Sequence, residues 1–84
     1  MTSTESGMSL QDGMRLSGMS YPELWLRHIS VSGTIGELEL EAYVLGLLMP
    51  DDYQHNLIAQ ALNEYFIDLG QDHPVGYRDT ATTE

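Results

Sequence analysis

Three helix-start signals at similar spacing leave the middle of this chain little room for anything except short helices. Ser20, Thr34 and Asp51 are each followed three positions later by Glu or Gln. In this pattern two side chains satisfy free backbone N–H groups at a helix start. Pro50 cannot continue a helix and ends the second one. We therefore predict an all-α fold, a small three-helix bundle with helices at 20–32, 34–49 and 51–69.

The two ends of the chain are predicted to lie outside this bundle. Residues 1–19 are rich in Ser, Thr and Gly, a composition typical of a disordered leader. Apolar residues still recur in this leader every two to five positions, which suits a segment that orders on contact. Residues 73–77 are predicted to be a short extended segment whose Val75 and Tyr77 fold back over the bundle. The domain then covers residues 20–77, and 78–84 form a disordered polar tail.

The charge of the chain limits what it can bind. Thirteen acidic residues stand against three arginines and no lysine, a formal net charge of −10. Such a surface repels phosphate backbones and anionic lipid headgroups, so we expect no direct binding to nucleic acid or membranes. With no cysteine there is no disulfide or thiolate metal site. No secretory signal pattern is visible, and we expect a cytoplasmic protein.

No motif in the sequence predicts catalysis, a cofactor or a metal. His55 lies near Asp51 and Asp52 at helical spacing, which we interpret as a boundary residue of a helix start and not as a ligand set. His28 shares the apolar face of the first helix and is interpreted as an edge-of-core imidazole. Ser30 and Ser32 lie at a helix junction, where capping explains them. We expect a protein that is not an enzyme.

The second predicted helix carries two apolar stripes instead of one. The first comprises Ile35, Leu38, Ala42, Leu45 and Met49. The second comprises Leu40, Tyr43, Val44 and Leu47. A helix that is apolar all round is usually buried, so one interpretation makes this the central helix of the bundle. The other leaves the second stripe partly open for another chain.

We favour a partner-binding function for the second stripe. Its apolar anchors would be Leu40, Tyr43, Val44 and Leu47, and Glu37, Glu39 and Glu41 would form an acidic rim that steers a basic partner. The predicted function is a non-catalytic adaptor or regulatory module. Its partner would be another protein with a basic surface, or a second copy of the chain in a homodimer.

Two alternatives remain open at this stage. The size and charge also suit an acidic DNA mimic that occupies the groove of a basic nucleic-acid-binding protein. A small carrier-like domain is the second alternative, with Ser32 in the place of a prosthetic-group serine. The sequence around Ser32 lacks the Asp-Ser-Leu motif usual in carriers.

Overall fold

The computed structural model describes residues 8–72 and 74–78, and four helices contain most of them. These are α1 (Leu10–Ser17), α2 (Tyr21–Ser30), α3 (Glu37–Leu45) and α4 (Asp52–Asp68). The predicted all-α class is confirmed. The predicted number of three helices is wrong, because α1 forms within the segment 1–19 that the composition assigns to a leader. Residues 1–7 and 79–84 lie outside the described residues.

Local capping and burial together explain α1. The Ser9 hydroxyl accepts a hydrogen bond from the Asp12 N–H at 3.0 Å, and Gly18, with φ of 71°, ends the helix. Leu10 and Met14 lie one turn apart and are both buried in the core. A helix of eight residues is marginal by itself, so we infer that this packing keeps it folded.

The predicted starts of the first and third helices are confirmed at α2 and α4. The Ser20 hydroxyl accepts from the Glu23 N–H at 3.2 Å, and the Asp51 carboxylate accepts from the Gln54 N–H at 2.8 Å. Each bond satisfies one of the four N–H groups that a helix start leaves without an intrahelical partner. Both caps lie where the sequence pattern predicts them.

The second predicted helix is too long at both ends. α3 begins after Gly36, which has cap geometry but no side-chain cap, so Thr34 is not the capping residue. Gly46 then takes a left-handed conformation with φ of 82°, and the Leu47 N–H donates to the Ala42 carbonyl at 2.9 Å. This glycine ends α3 four residues before Pro50.

The core is centred on α4. This helix packs against α1 and α2, and α3 packs against α1 and α2 from a more peripheral position. Seven residues of α4 are buried: Leu57, Ile58, Ala59, Ala61, Leu62, Asn63 and Phe66. Only Leu40 and Val44 are buried on α3. The interpretation that makes the second predicted helix central is therefore wrong. Both of its apolar stripes keep exposed residues: Leu38, Leu45 and Met49 of the first, and Leu47 of the second.

Residues 74–78 form an extended segment, here called the strap, that runs back along α4. Asn63 holds Val75 by two hydrogen bonds: its amide nitrogen donates to the Val75 carbonyl at 3.0 Å, and its amide oxygen accepts from the Val75 N–H at 2.8 Å. The Met8 N–H donates to the Pro74 carbonyl at 2.9 Å, and the Gly76 N–H donates to the Met8 carbonyl at 3.0 Å. The strap thereby joins the start of the described chain to α4.

The strap only partly matches its prediction. Val75 is buried, as predicted, whereas Tyr77 is half exposed and does not cover the bundle. The Val75 side chain lies so close to α1 that a Cβ added at Gly13 would be 2.6 Å from its Cγ2 atom. Gly13 therefore permits the contact between α1 and the strap.

Candidate partner-binding surface

The four predicted apolar anchors are divided between the core and the surface. Leu40 is fully buried and Val44 is 3% exposed. They are the buried residues of α3, so in this fold they pack within the chain and do not form an open stripe. Tyr43 is half-buried beside that core, and Leu47, which follows α3, is 74% exposed.

The exposed apolar side chains of this region come from the end of α3 and the turn that follows it. Six of the twelve exposed large apolar residues in the described part of the chain lie between Leu38 and Tyr53. Because Gly46 ends the helix early, three consecutive apolar residues after it face solvent. We define the turn face as Leu45, Leu47, Leu48 and Met49. Consecutive exposed apolar residues disfavour solubility and usually have a functional reason.

An open groove of about 240 Å³ lies beside the turn face. On one side it is lined by Tyr43 of α3 and by Leu48 and Met49 of the turn. Leu10 and Gln11, at the start of α1, and Arg78 of the strap also line it. The groove therefore exists only because α1 and the strap pack beside α3. α1 lies outside the predicted domain of residues 20–77, and the strap extends one residue beyond it.

Three carboxylates interact with residues that line this groove. The Tyr43 hydroxyl donates to Glu39 Oε2 at 3.0 Å. That hydrogen bond raises the pKa of the Tyr43 phenol, and burial together with the negative charges of Glu39 and Asp51 raises it further. Asp52 lies on the Arg78 side of the groove, 3.3 Å from the guanidinium. The surface beside the turn face is therefore acidic.

The predicted acidic rim is split by the fold. Glu39 lies at the groove through its bond to Tyr43. Glu41 acts on α2 instead: burial raises the pKa of the Tyr21 phenol, and the charge of Glu41 raises it further. Glu37 is half-buried at the first position of α3. The described geometry thus places one of the three predicted rim residues beside the turn face.

Arg78 is one residue of this surface that the predicted site does not include, as are Leu45, Leu48 and Met49. Its guanidinium donates to the Pro50 carbonyl at 2.8 Å and contacts Met49 Sδ at 3.7 Å. Its backbone is held by Asn56, whose amide accepts from the Arg78 N–H at 2.7 Å and donates to the Arg78 carbonyl at 2.9 Å. The predicted tail begins at this residue, yet Arg78 ties the strap to the turn.

His28 is buried more deeply than its predicted edge-of-core position implies. The side chain is fully buried, and neither ring nitrogen has a hydrogen-bond partner among the described residues. Burial lowers the pKa of the imidazole below its ordinary value of 6.5, because the charged form would lose its hydration. His28 is therefore a neutral core residue at neutral pH.

We expect the free energy of unfolding to fall as the pH drops below 6.5. The unfolded chain then protonates His28 while the folded chain does not, so the unfolded state binds more protons. The loss from this residue continues until the pH falls through the lower pKa that His28 has in the folded chain. Urea denaturation of the wild type and of His28→Leu between pH 8 and pH 5 measures it. A wild-type loss no steeper than that of His28→Leu would contradict the assignment.

The other candidate chemical groups are occupied within the fold. His55 Nε2 donates to the Gly76 carbonyl at 2.9 Å, Asp51 caps α4, and Asp52 pairs with Arg78. The Ser30 hydroxyl donates to the Arg27 carbonyl at 2.7 Å. Within residues 8–72 and 74–78, no group of three or more His, Cys, Asp or Glu side chains is placed to hold a metal ion.

The surface around the turn face combines apolar side chains, an open groove and an acidic border. None of the helices in the described ranges has the length and apolar character needed to cross a bilayer. Comparisons of this chain with protein-family models, with curated proteins and with solved structures find no match.

Proposed function

We propose that this chain is a non-catalytic protein–protein interaction module, an adaptor or regulator that binds its partner through the turn face. The observation that carries the proposal is the run Leu47, Leu48 and Met49, three consecutive apolar residues that face solvent beside an open groove. Burial of such apolar surface favours association by roughly 25 cal/mol per Å² before the costs of association are subtracted. The proposed location is the cytoplasm, where reducing conditions suit a chain without cysteine.

The charge pattern supports a selective contact and not general adhesion. Arg15, Arg27 and Arg78 each pair with an aspartate of the same chain. The formal net charge of −10 leaves the chain strongly acidic even with these three pairs formed. Charges at the border of an interface steer complementary partners and raise the association rate more than they deepen affinity.

A pair of matched double variants tests the proposal. We expect Leu47→Ser with Met49→Ser to reduce partner binding by more than about tenfold, since truncating interface anchors typically costs 1 kcal/mol or more each. Leu16→Ser with Leu26→Ser is the control, because these residues are comparably exposed and lie on α1 and α2 outside the groove. The measurement is quantitative affinity capture from a lysate of the source organism, with circular dichroism as the check on folding.

The same experiment separates the alternatives. Equal capture by both double variants would contradict the turn face as the binding site. A DNA mimic would bind a basic protein through carboxylates, so DNA would compete and the serine variants would bind normally. A homodimer through the turn face would appear as a concentration-dependent mass in light scattering, reduced to the monomer by the Leu47 and Met49 substitutions.

A further inference from the structure

We infer that the groove beside the turn face accepts an apolar side chain from a basic amphipathic helix of the partner. The inference rests on the proposed function, and it names the kind of partner that the turn face binds. The size of the groove, the charges at its border and the secondary structure around it all favour such a partner.

The size of the groove favours a side chain over a small molecule. Pockets that hold small molecules usually measure about 300–1,000 Å³ and enclose most of the ligand. This groove measures about 240 Å³ and is open along the surface. Interface anchors, by contrast, are single large apolar side chains that fill shallow pockets near the centre of a contact. A Leu, Met or Phe of the partner matches this space.

The lining of the groove can adapt to such an anchor. Leu48 and Met49 belong to both the turn face and the groove, and Leu10 lies across from them on α1. Met49 is 82% exposed, and its unbranched thioether fills irregular gaps with little rotamer strain. An inserted side chain would therefore gain apolar contacts from the turn and from α1 together.

The border charges select a cationic partner. Glu39 and Asp51 both act on the Tyr43 hydroxyl at the groove, and Asp52 lies next to Arg78. Three carboxylates against one guanidinium leave this border negative. A second copy of the chain would bring a further formal charge of −10 to the contact. Like charges at an interface are unfavourable, so a basic partner fits better than a second copy.

The surrounding secondary structure favours a helix as the bound element. An added strand needs an open sheet edge, whereas the described residues have one isolated bridge, between Met8 and Val75. Proline-rich segments bind grooves lined by several Tyr, Trp or Phe rings, and Tyr43 is the one such residue in the described lining. An amphipathic helix needs an apolar groove with adjoining apolar surface, which the groove and the turn face supply together.

Three synthetic peptides test this inference on the full-length chain. The first is an amphipathic Leu/Lys helix of about 18 residues, long enough for about five turns. The second replaces every Lys by Glu, and the third shuffles the Leu/Lys order so that the apolar stripe is lost. Fluorescence anisotropy gives each Kd, and amide chemical shifts locate the contact. We expect binding by the first peptide alone, with the largest shifts at Tyr43, Leu48 and Met49.

Three variants separate groove binding from general attraction to an acidic protein. Gln11 is exposed and lines the groove, so Gln11→Trp fills it and is expected to weaken the Leu/Lys helix by at least tenfold. Gln60→Trp is the control at an exposed position of α4 outside the groove. Glu39→Gln keeps an oxygen for the Tyr43 hydroxyl and is expected to weaken binding about threefold at low salt.

The outcomes distinguish the inference from the proposed function. Equal affinity of the amphipathic and the shuffled Leu/Lys peptides would overturn the inference, and so would an unchanged affinity in Gln11→Trp. Either result would show that binding does not use the groove. If the captured partner is lost on Leu47→Ser with Met49→Ser but the Leu/Lys helix does not compete with it, the proposed function stands and the inference fails. If those substitutions leave capture unchanged, the proposed function fails, and the inference that rests on it fails as well.

Discussion

Asn63→Ala is expected to lower the free energy of unfolding by about 3 kcal/mol, the cost of two buried backbone groups left without partners. Asn63 is 1% exposed, and its amide binds both the N–H and the carbonyl of Val75. In effect the side chain replaces the edge of a neighbouring strand. Met8 binds the opposite edge of the strap, so a loosened strap also weakens the attachment of the chain before α1.

Asn56 offers a matched control for this prediction. Its amide makes the same pair of hydrogen bonds, to the N–H and the carbonyl of Arg78, but the site is only half-buried. Water can replace the lost bonds there, so we expect Asn56→Ala to cost about 1 kcal/mol. Urea denaturation measures both losses, and hydrogen exchange at the Val75 amide should quicken in Asn63→Ala. Equal losses in the two variants would show that burial does not set the cost.

Local interactions are the part of the fold that the sequence predicts well. Ser20 and Asp51 cap their helices as their spacing to Glu23 and Gln54 indicates. Thr34 has the same spacing to Glu37 but does not cap α3. The loop before α3 is held instead by a tertiary contact, the Trp25 indole N–H donating to the Ile35 carbonyl at 2.9 Å. A pattern of four residues contains no information about that bond.

The leader shows why composition alone does not identify a disordered segment. The Ser and Gly content of residues 1–19 favours disorder, yet Leu10, Met14 and Met19 are buried in the core. They pack in one core with residues of α4 and with Val75, which lie more than thirty residues away along the chain. The burial of Asn63 likewise depends on a tertiary contact, because the strap packs over this polar side chain.

The candidate site is predictable as a region but not as a set of residues. Two apolar stripes on one helix indicate that the fold can leave apolar residues exposed there. The helical periodicity does not determine which of these residues the fold covers. In the fold, Leu40 and Val44 go into the core, and Leu45 remains exposed. Gly46 then adds Leu47 and Leu48 to the open surface by ending α3 early. The groove is also lined by α1 and the strap, and neither lies within the three predicted helices.

Gly33→Ala is expected to lower the free energy of unfolding by about 3 kcal/mol, because an added methyl group would overlap the His28 ring. A Cβ built at Gly33 lies 2.0 Å from His28 Nε2, far inside any contact distance. The ring is fully buried, and the Gly33 N–H donates to the His28 carbonyl at 2.8 Å, so neither side moves freely. Thermal and urea denaturation of the variant measure the loss.

Gly36→Ala, three residues further on, separates this overlap from the general effect of replacing glycine. A Cβ at Gly36 meets no atom within 4 Å, and its φ of −76° suits any residue, so we expect a change below about 0.5 kcal/mol. His28→Ala supplies the second check, since it removes the ring that the new methyl group strikes. In that background Gly33→Ala should cost less than about 1 kcal/mol. A loss of the same size in both backgrounds would show that the strain lies in the loop backbone and not between the two side chains.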